Sequence, residues 1–164
     1  MDLHGKRILI VKPSSLGDII HALPVVHALK RYFPTCSIGW VVEQGFAPLL
    51  KRDTAVDAVY SIHITSTSNP DSGWFSYWQA LIDTVQVLQK MRTAFRAHPY
   101  DVVFDLHASF RSGCLALMNP GGFRIGFGDA RELNTYFQHQ LINIPVKTIH
   151  AVEKNQLFCS FCGC

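Results

Sequence analysis

The sequence predicts an α/β fold, a parallel sheet with helices on both faces, on three observations. Its strand-like segments are continuous apolar runs, not period-2 alternations, as expected of strands buried on both sides. They alternate with segments whose apolar residues recur at helical spacing. The 164 residues are 48% hydrophobic and only 16% charged, well under the roughly 25% of an average domain. That composition supports one domain with a substantial core and excludes a disordered chain.

Taken in order, Arg7 to Lys12 is a β-branched apolar run and the first strand. Pro13 to Asp18 is rich in turn formers. Ile19, Ile20, Leu23, Val26 and Leu29 to Phe33 then recur at helical spacing, and Pro34 closes that helix. Pro24 inside the pattern predicts a kink or a late start. Ser37 to Val42 is a second strand, Phe46 to Lys51 a short helix and Ala58 to Ile62 a third strand. Thr65 to Gly73 is loop chemistry. Phe75, Trp78, Leu81, Ile82, Val85, Leu88, Met91 and Phe95 form the apolar stripe of a long helix. Val102 to Leu106 is a strand, and Phe110 to Leu117 a helix ended by Asn119 to Gly122. Phe123 to Phe127 and Leu141 to Ile144 are further strands, and His150 to Cys162 is a last helix.

Several function classes drop out early. No stretch approaches the ~20 apolar residues of a membrane span. The run Ile8 to Val11 is too short for a signal-peptide core, so a cytoplasmic location is expected. Five cysteines in such a chain do not form a disulfide framework. A net charge of +3 permits an anionic substrate or an anionic membrane surface and demands neither; nothing points to nucleic acid. The eight histidines are scattered, which argues against a dedicated metal cluster.

In an open α/β sheet ligands gather at the carboxyl ends of strands, and two such ends carry chemistry. Lys12-Pro13-Ser14-Ser15-Leu16-Gly17-Asp18 opens a helix whose N-terminal N–H groups favour anions. It is neither a dinucleotide fingerprint nor a Walker loop. Asp18 is either an N-cap or a catalytic carboxylate. Asp105 to Ser112 crowds an acid, the His107 imidazole, two hydroxyls and Arg111 at a second strand end; Ser109 as a cap with Arg111 solvated is the plainer reading. Arg124 and Arg131 flank flexible glycines, suited to phosphate or carboxylate or simply solvated. Cys159, Cys162 and Cys164 would suit zinc only with a fourth ligand from elsewhere; an unstructured tail is the expectation.

Arg7 to Pro24, Tyr100 to Ser112, Arg124 to Phe127, Ala130 to Glu132 and His150 to Asn155, in that order and spacing, resemble the signatures of the bacterial lipopolysaccharide heptosyltransferases, glycosyltransferase family nine. The resemblance implies a GT-B enzyme, with two Rossmann-like domains facing across a cleft. Residues 1–155 would be the amino-terminal acceptor domain and 156–164 an atypical tail, with the carboxyl-terminal donor domain absent. The implied acceptor is a Kdo–lipid A-type glycolipid at the inner face of the inner membrane. The implied donor is ADP-heptose, held by a donor domain that a separate polypeptide would have to supply, and transfer inverts the anomeric centre without a metal or other cofactor. Asp18 corresponds to the family's general base. Lys12, Ser14, Ser15 and Gly17 would shape the floor around it, and His107, Arg111, Arg124 and Arg131 would meet acceptor anions.

Three departures accompany the resemblance. His107 stands where the family commonly has glutamine. The segment after the third strand lacks the arginines of relatives with phosphorylated or Kdo-bearing acceptors. The chain is shorter than two-domain enzymes of the family, which leaves a non-catalytic binding module or truncated remnant as the alternative, and a small flavodoxin-like nucleotide binder as a third. The cleft face and the last helix, with Val152, Leu157, Phe158 and Phe161, are expected to expose apolar surface for want of a partner.

Overall fold

A computed structural model describes residues 1–63, 74–145 and 150–164, with the backbone alone for 74–81. The loop read at Thr65 to Gly73 lies outside the described residues, as do the side chains of Phe75, Trp78 and Leu81. Six strands, β1 (Arg7–Val11), β2 (Ser37–Glu43), β3 (Ala58–Ile62), β4 (Val102–Asp105), β5 (Phe123–Phe127) and β6 (Gln140–Ile142), form one parallel sheet in the order β3-β2-β1-β4-β5-β6. The helices are α1 (Leu16–Tyr32), α2 (Ala47–Leu50), α3 (Trp74–Ala97), α4 (Phe110–Leu117) and α5 (Ala151–Cys162), with 3-10 turns at Gln44–Phe46 and Asn134–Phe137.

The continuous apolar runs have a simple cause. Along β1, Ile8 and Ile10 face one side of the sheet and Leu9 and Val11 the other, and all four are fully buried. On the first side the sheet meets α1, α2 and α5, through Ile19, Val26, Leu29, Leu50 and Phe158. On the second it meets Met91 and Phe95 of α3 and Leu115 and Ala116 of α4. Each of these side chains larger than alanine contributes about 1.5–3 kcal/mol by leaving water. Trp40 is buried to the last atom because its indole N–H finds the Lys12 carbonyl at 3.1 Å.

The structure corrects three expectations. First, α1 does not start late at Pro24: it runs from Leu16 to Tyr32 with the proline inside it. The bond Pro24 forgoes would go to the carbonyl of Ile20, a residue 48% exposed, where water can replace it. Second, of the two readings of the terminal segment the helix to Cys162 holds and the unstructured tail does not: residues 156–162 are the second half of α5. Phe158 is fully buried between Phe104 and Phe127, and the Cys159 thiol reaches the Val25 carbonyl of α1 at 3.8 Å. Third, α5 is therefore not an exposed apolar helix; of its apolar side chains Phe161 is the one left markedly open, at 38%.

Sheet order reverses between β1 and β4: the chain runs outward through β2 and β3, then returns to the other side of β1. The carboxyl ends of these two neighbours are the topological switch point, where an open α/β sheet leaves a crevice.

Candidate functional site

Both chemistry-bearing loops open on that crevice. β1 delivers Lys12, 8% exposed, whose ammonium donates to the Leu106 carbonyl just past β4 at 3.0 Å. Burial holds this amine below the ordinary lysine value; Asp18 and Asp105 pull it back up and Lys154 opposes them. Ser15 caps α1, and Asp18 is the third residue of the helix. The Asp18 Oδ2 accepts from the Ser15 N–H at 3.2 Å and the Ser15 hydroxyl at 3.1 Å, and lies 4.0 Å from the Lys12 ammonium. All of these partners sit on one oxygen, and among the described residues no hydrogen bond reaches Oδ1. Burial pushes the carboxyl up, but the Ser15 N–H, the Lys12 ammonium and the Ser15 hydroxyl outweigh it and hold the group below the ordinary aspartate value. Asp18 is thus ionised at neutral pH with one oxygen free.

Across the crevice β4 ends in Asp105, which is fully buried. Its Oδ1 accepts from the N–H groups of His107 and Ala108, and its Oδ2 from Ser112, Asn134 and Gln138. This hub fixes the loop that carries His107, with Ala108 in the left-handed region at φ 61°. The His107 Nδ1 is buried and has no hydrogen-bond partner among the described residues. Burial and then Lys12 depress the imidazole below its ordinary value, against the pull of Asp105 and Asp18, so it is neutral at pH 7 and meets a ligand as a hydrogen-bonding group rather than a cation.

The third wall is the start of α5. His150 caps it, taking the Val152 N–H on Nδ1 at 3.3 Å, while Glu153 reaches back to the His150 N–H at 3.3 Å. Asn155 ties this turn to α1 through the His21 carbonyl at 3.1 Å. Lys154 pairs with Asp129 at 2.8 Å and lies 4.5 Å above the centre of the Phe127 ring. Lys12, Asp18, Leu106, His107, Ala108, Phe127, Ala151, Lys154 and Asn155 enclose a cavity of about 160 Å³. The first turns of α1 and α5 both border it, so two helix N-termini and two ammonium groups favour an anion there, beside one ionised carboxylate.

The structure therefore brings Lys12, Asp18 and His107 together, with Ser15 bound to Asp18. Ser14 and Gly17 lie in the same loop, and a Cβ on Gly17 would meet open space. Arg131 is joined to the rim through its N–H to the Ala108 carbonyl at 3.3 Å, and its side chain is exposed, as is that of Arg111 on the first turn of α4. Arg124 is not at the site. Its Nε donates to the Phe137 carbonyl at 2.6 Å and its Nη2 meets His139 at 2.9 Å, so the guanidinium braces 137–139 against β5. Asp105 is legible in the sequence as the acid at the second strand end but without a role, while Lys154 and Asn155 are not singled out there as site residues, although the last quoted motif contains them. A larger cavity of about 490 Å³ runs between β3 and α3, beside Ser61, His63 and Lys90, and contains none of the predicted site residues.

The terminal cysteines make no metal centre: among the described residues no three His, Cys, Asp or Glu side chains are grouped to hold an ion. Burial pushes the Cys159 thiol well up and Cys162 up to about 12, as befits inert core thiols. Among the described residues no helix is long and apolar enough to cross a membrane.

Residues 88–163 match Glycosyltransferase family 9 (heptosyltransferase). Lipopolysaccharide heptosyltransferase 1 of Salmonella typhimurium is 33% identical over 165 residues, which take in 96% of this chain and 48% of the relative. The enzyme of the same name from Escherichia coli K12 is 34% identical over 161 residues, again 96% of this chain and 48% of the relative. The chain thus spans about half the length of the curated relatives it matches. Among solved structures, E. coli heptosyltransferase WaaC with ADP-2-deoxy-2-fluoro heptose superposes with a TM-score of 0.78 at 32% identity, over 96% of this chain and 48% of that one. A family 9 glycosyltransferase from Veillonella parvula superposes at 0.81, covering 99% of this chain and 42% of its own, but at 20% identity it speaks for the fold alone.

Proposed function

The chain belongs to glycosyltransferase family 9, matching the amino-terminal half of its members, and on that premise we propose that it is the acceptor-side half of a heptosyltransferase. In this reading it binds an anionic, Kdo-bearing glycolipid of the lipopolysaccharide inner core on the cytoplasmic face of the inner membrane. Heptose comes from ADP-heptose held by a donor half, on the same or a separate polypeptide.

One observation carries the reading: Asp18 stands at the switch point, ionised, with no hydrogen bond to Oδ1 among the described residues, the Lys12 ammonium 4.0 Å from Oδ2 and Lys154 on the same cavity wall. A sugar hydroxyl is a weak nucleophile, so a carboxylate must take its proton as the bond to the anomeric carbon forms. The hydroxyl oxygen attacks the face opposite the ADP, the C–O bond to the diphosphate breaks with its electron pair, and the configuration inverts. Proton transfer comes as the attacking oxygen becomes strongly acidic, so a carboxylate of depressed basicity suffices. Lys12 and Lys154 supply positive charge for a carboxylate or phosphate of the acceptor, and Arg131 and Arg111 extend it outward. Arg124, committed to Phe137 and His139, has no place in this scheme.

The test is a backbone-amide NMR titration of the chain with a water-soluble, tail-less Kdo oligosaccharide. Perturbations should centre on Lys12, Asp18, His107 and Lys154, with none comparable from ADP-heptose. Tight binding of ADP-heptose, or acceptor perturbations confined to the β3–α3 cavity, would overturn the assignment of this half to the acceptor.

A further inference from the structure

We infer that Phe110, Leu133 and Tyr136, with Arg111 and Arg131, form a docking surface for an anionic lipid bilayer beside the mouth of the pocket. The inference deepens the glycolipid-acceptor reading and rests on it for the orientation of the bilayer.

The three apolar side chains are 49%, 66% and 83% exposed. They are held out by a rigid piece of chain. Glu132 and Leu133 both adopt the left-handed conformation, at φ 57° and 62°, which side chains with a Cβ rarely occupy. What pins them there is polar and buried. The next residue, Asn134, is fully buried and donates to Asp105 and to the Ser109 carbonyl. Gln138 joins the same hub. Leu133 immediately precedes the 3-10 turn, and its carbonyl accepts the Tyr136 N–H at 3.1 Å, which ties the two residues together. Phe110 is drawn alongside by its N–H to the Glu132 carboxylate at 3.2 Å and by the Phe137 ring at 5.4 Å. Folding alone gives no reason to fix a leucine outward on a strained, anchored backbone.

The occupant follows from size and charge. Three side chains are far short of the ~800 Å² per partner that a stable protein interface requires. A few apolar side chains with adjacent cations are what interfacial membrane binding uses, and a tyrosine, with its apolar ring and polar tip, suits the headgroup level. Arg111 and Arg131 are exposed, and neither forms an ion pair among the described residues. The acid next to Arg131, Glu132, accepts the Phe110 N–H. Two guanidinium groups against one carboxylate leave the apolar patch with a net positive charge, complementary to anionic headgroups. Its continuity with the pocket is direct, because the Arg131 N–H bonds the carbonyl of Ala108, a residue of the pocket wall. A lipid-anchored acceptor whose sugar enters the pocket would keep its tail in the bilayer on this side.

Co-sedimentation with vesicles free of any glycolipid tests this, using phosphatidylethanolamine/phosphatidylglycerol against phosphatidylcholine alone. The chain should partition onto the anionic vesicles and only weakly onto the neutral ones. The double variant Leu133→Ser, Tyr136→Ser should bind the anionic vesicles about tenfold less, with an unchanged melting temperature and an unchanged titration by the tail-less oligosaccharide. Phe161→Ser, which alters an exposed apolar residue on α5, should bind as the parent does. Equal binding by the double variant, equal loss in Phe161→Ser, or no preference for anionic vesicles would each overturn the inference, as would a dimer that the double variant dissociates. If vesicle binding fails while the oligosaccharide still titrates the pocket, the docking surface falls and the acceptor reading stands. If the oligosaccharide fails while the double variant loses vesicle binding, the reverse holds.

Discussion

Asp18 and Asp105 stand across one crevice, at the ends of adjacent strands, and differ in nearly every respect that decides what a carboxylate can do. Asp105 is fully buried and accepts from five donors that use both oxygens. It has no lone pair to offer a substrate; its work is to hold the His107 loop, the start of α4 and the 134–138 segment in one arrangement. Asp18 has a side chain 46% exposed and spends one oxygen on Ser15 and Lys12. The other is free. Two acids in signature motifs are thus sorted into scaffold and chemistry by counting the lone pairs already engaged.

The largest effect that could break this contrast is on rate. With a family 9 donor-half polypeptide added to restore transfer, Asp18→Ala should lower kcat by about 100- to 10,000-fold, the range for loss of a positioned base. Its stability should change by no more than about 1 kcal/mol, since what disappears locally is half of a capping box. Discontinuous assays of heptose transfer and urea melts measure the two. Near-parental turnover would return Asp18 to a purely capping role.

Asp105→Ala should do the opposite. Five buried or half-buried donors lose their acceptor at once, and the cost should be about 3–5 kcal/mol, seen as a lower urea midpoint. Amide exchange should accelerate first over 106–112 and 132–138. A loss no larger than that of Asp18→Ala would mean that the hub is not what holds the loop.

How legible this was from sequence depends on how local each cause is. The strands were read nearly to the residue because both faces of β1, β2 and β4 are buried, which leaves unbroken apolar runs. Ser109 was readable as a cap because its partner Ser112 lies three residues on. Asp18 was not settled between cap and base, and the structure shows why: Ser15 is the cap, and Asp18 assists it with one oxygen while keeping the other. α5 was legible as a helix to Cys162, but its burial was not, because what buries it is α1, 134 positions away in the Cys159 to Val25 contact. Lys154 became a site residue through Asp129 and Phe127, more than 20 positions upstream. Arg124 left the site for the same kind of reason, since Phe137 and His139 reach it only once β5 and the segment after it are folded together. Pairings across the fold leave no spacing to read.

A smaller effect sharpens the contrast from the side of charge. Lys154→Ala removes an ammonium that pairs with Asp129 at 2.8 Å on a partly exposed surface, so stability should fall by less than about 1 kcal/mol. Affinity for the Kdo oligosaccharide should fall by about 10- to 100-fold, the loss expected for one charge-assisted hydrogen bond, and the remaining binding should depend less on salt. Unchanged affinity in isothermal titration would place the acceptor's anion elsewhere on the crevice.

The finest test concerns His107, which the Asp105 hub holds between the two carboxylates. Its folded pKa is depressed below 6.5 chiefly by burial and then by Lys12. Between its folded and unfolded values the unfolded chain binds the extra proton, so stability falls as pH drops from above 6.5 toward the folded value. His107→Gln keeps a hydrogen-bonding side chain of similar reach and removes that proton. The other histidines titrate in both proteins, so the informative quantity is the difference between the two melting curves. That difference should be constant above about pH 7.5 and should shift in favour of the variant as the solution is acidified through the histidine range. A difference that moves the other way would mean that Asp105 and Asp18, not burial and Lys12, control the ring. His107 would then be a cation in the crevice, and the anion site would gain a third positive group below neutral pH.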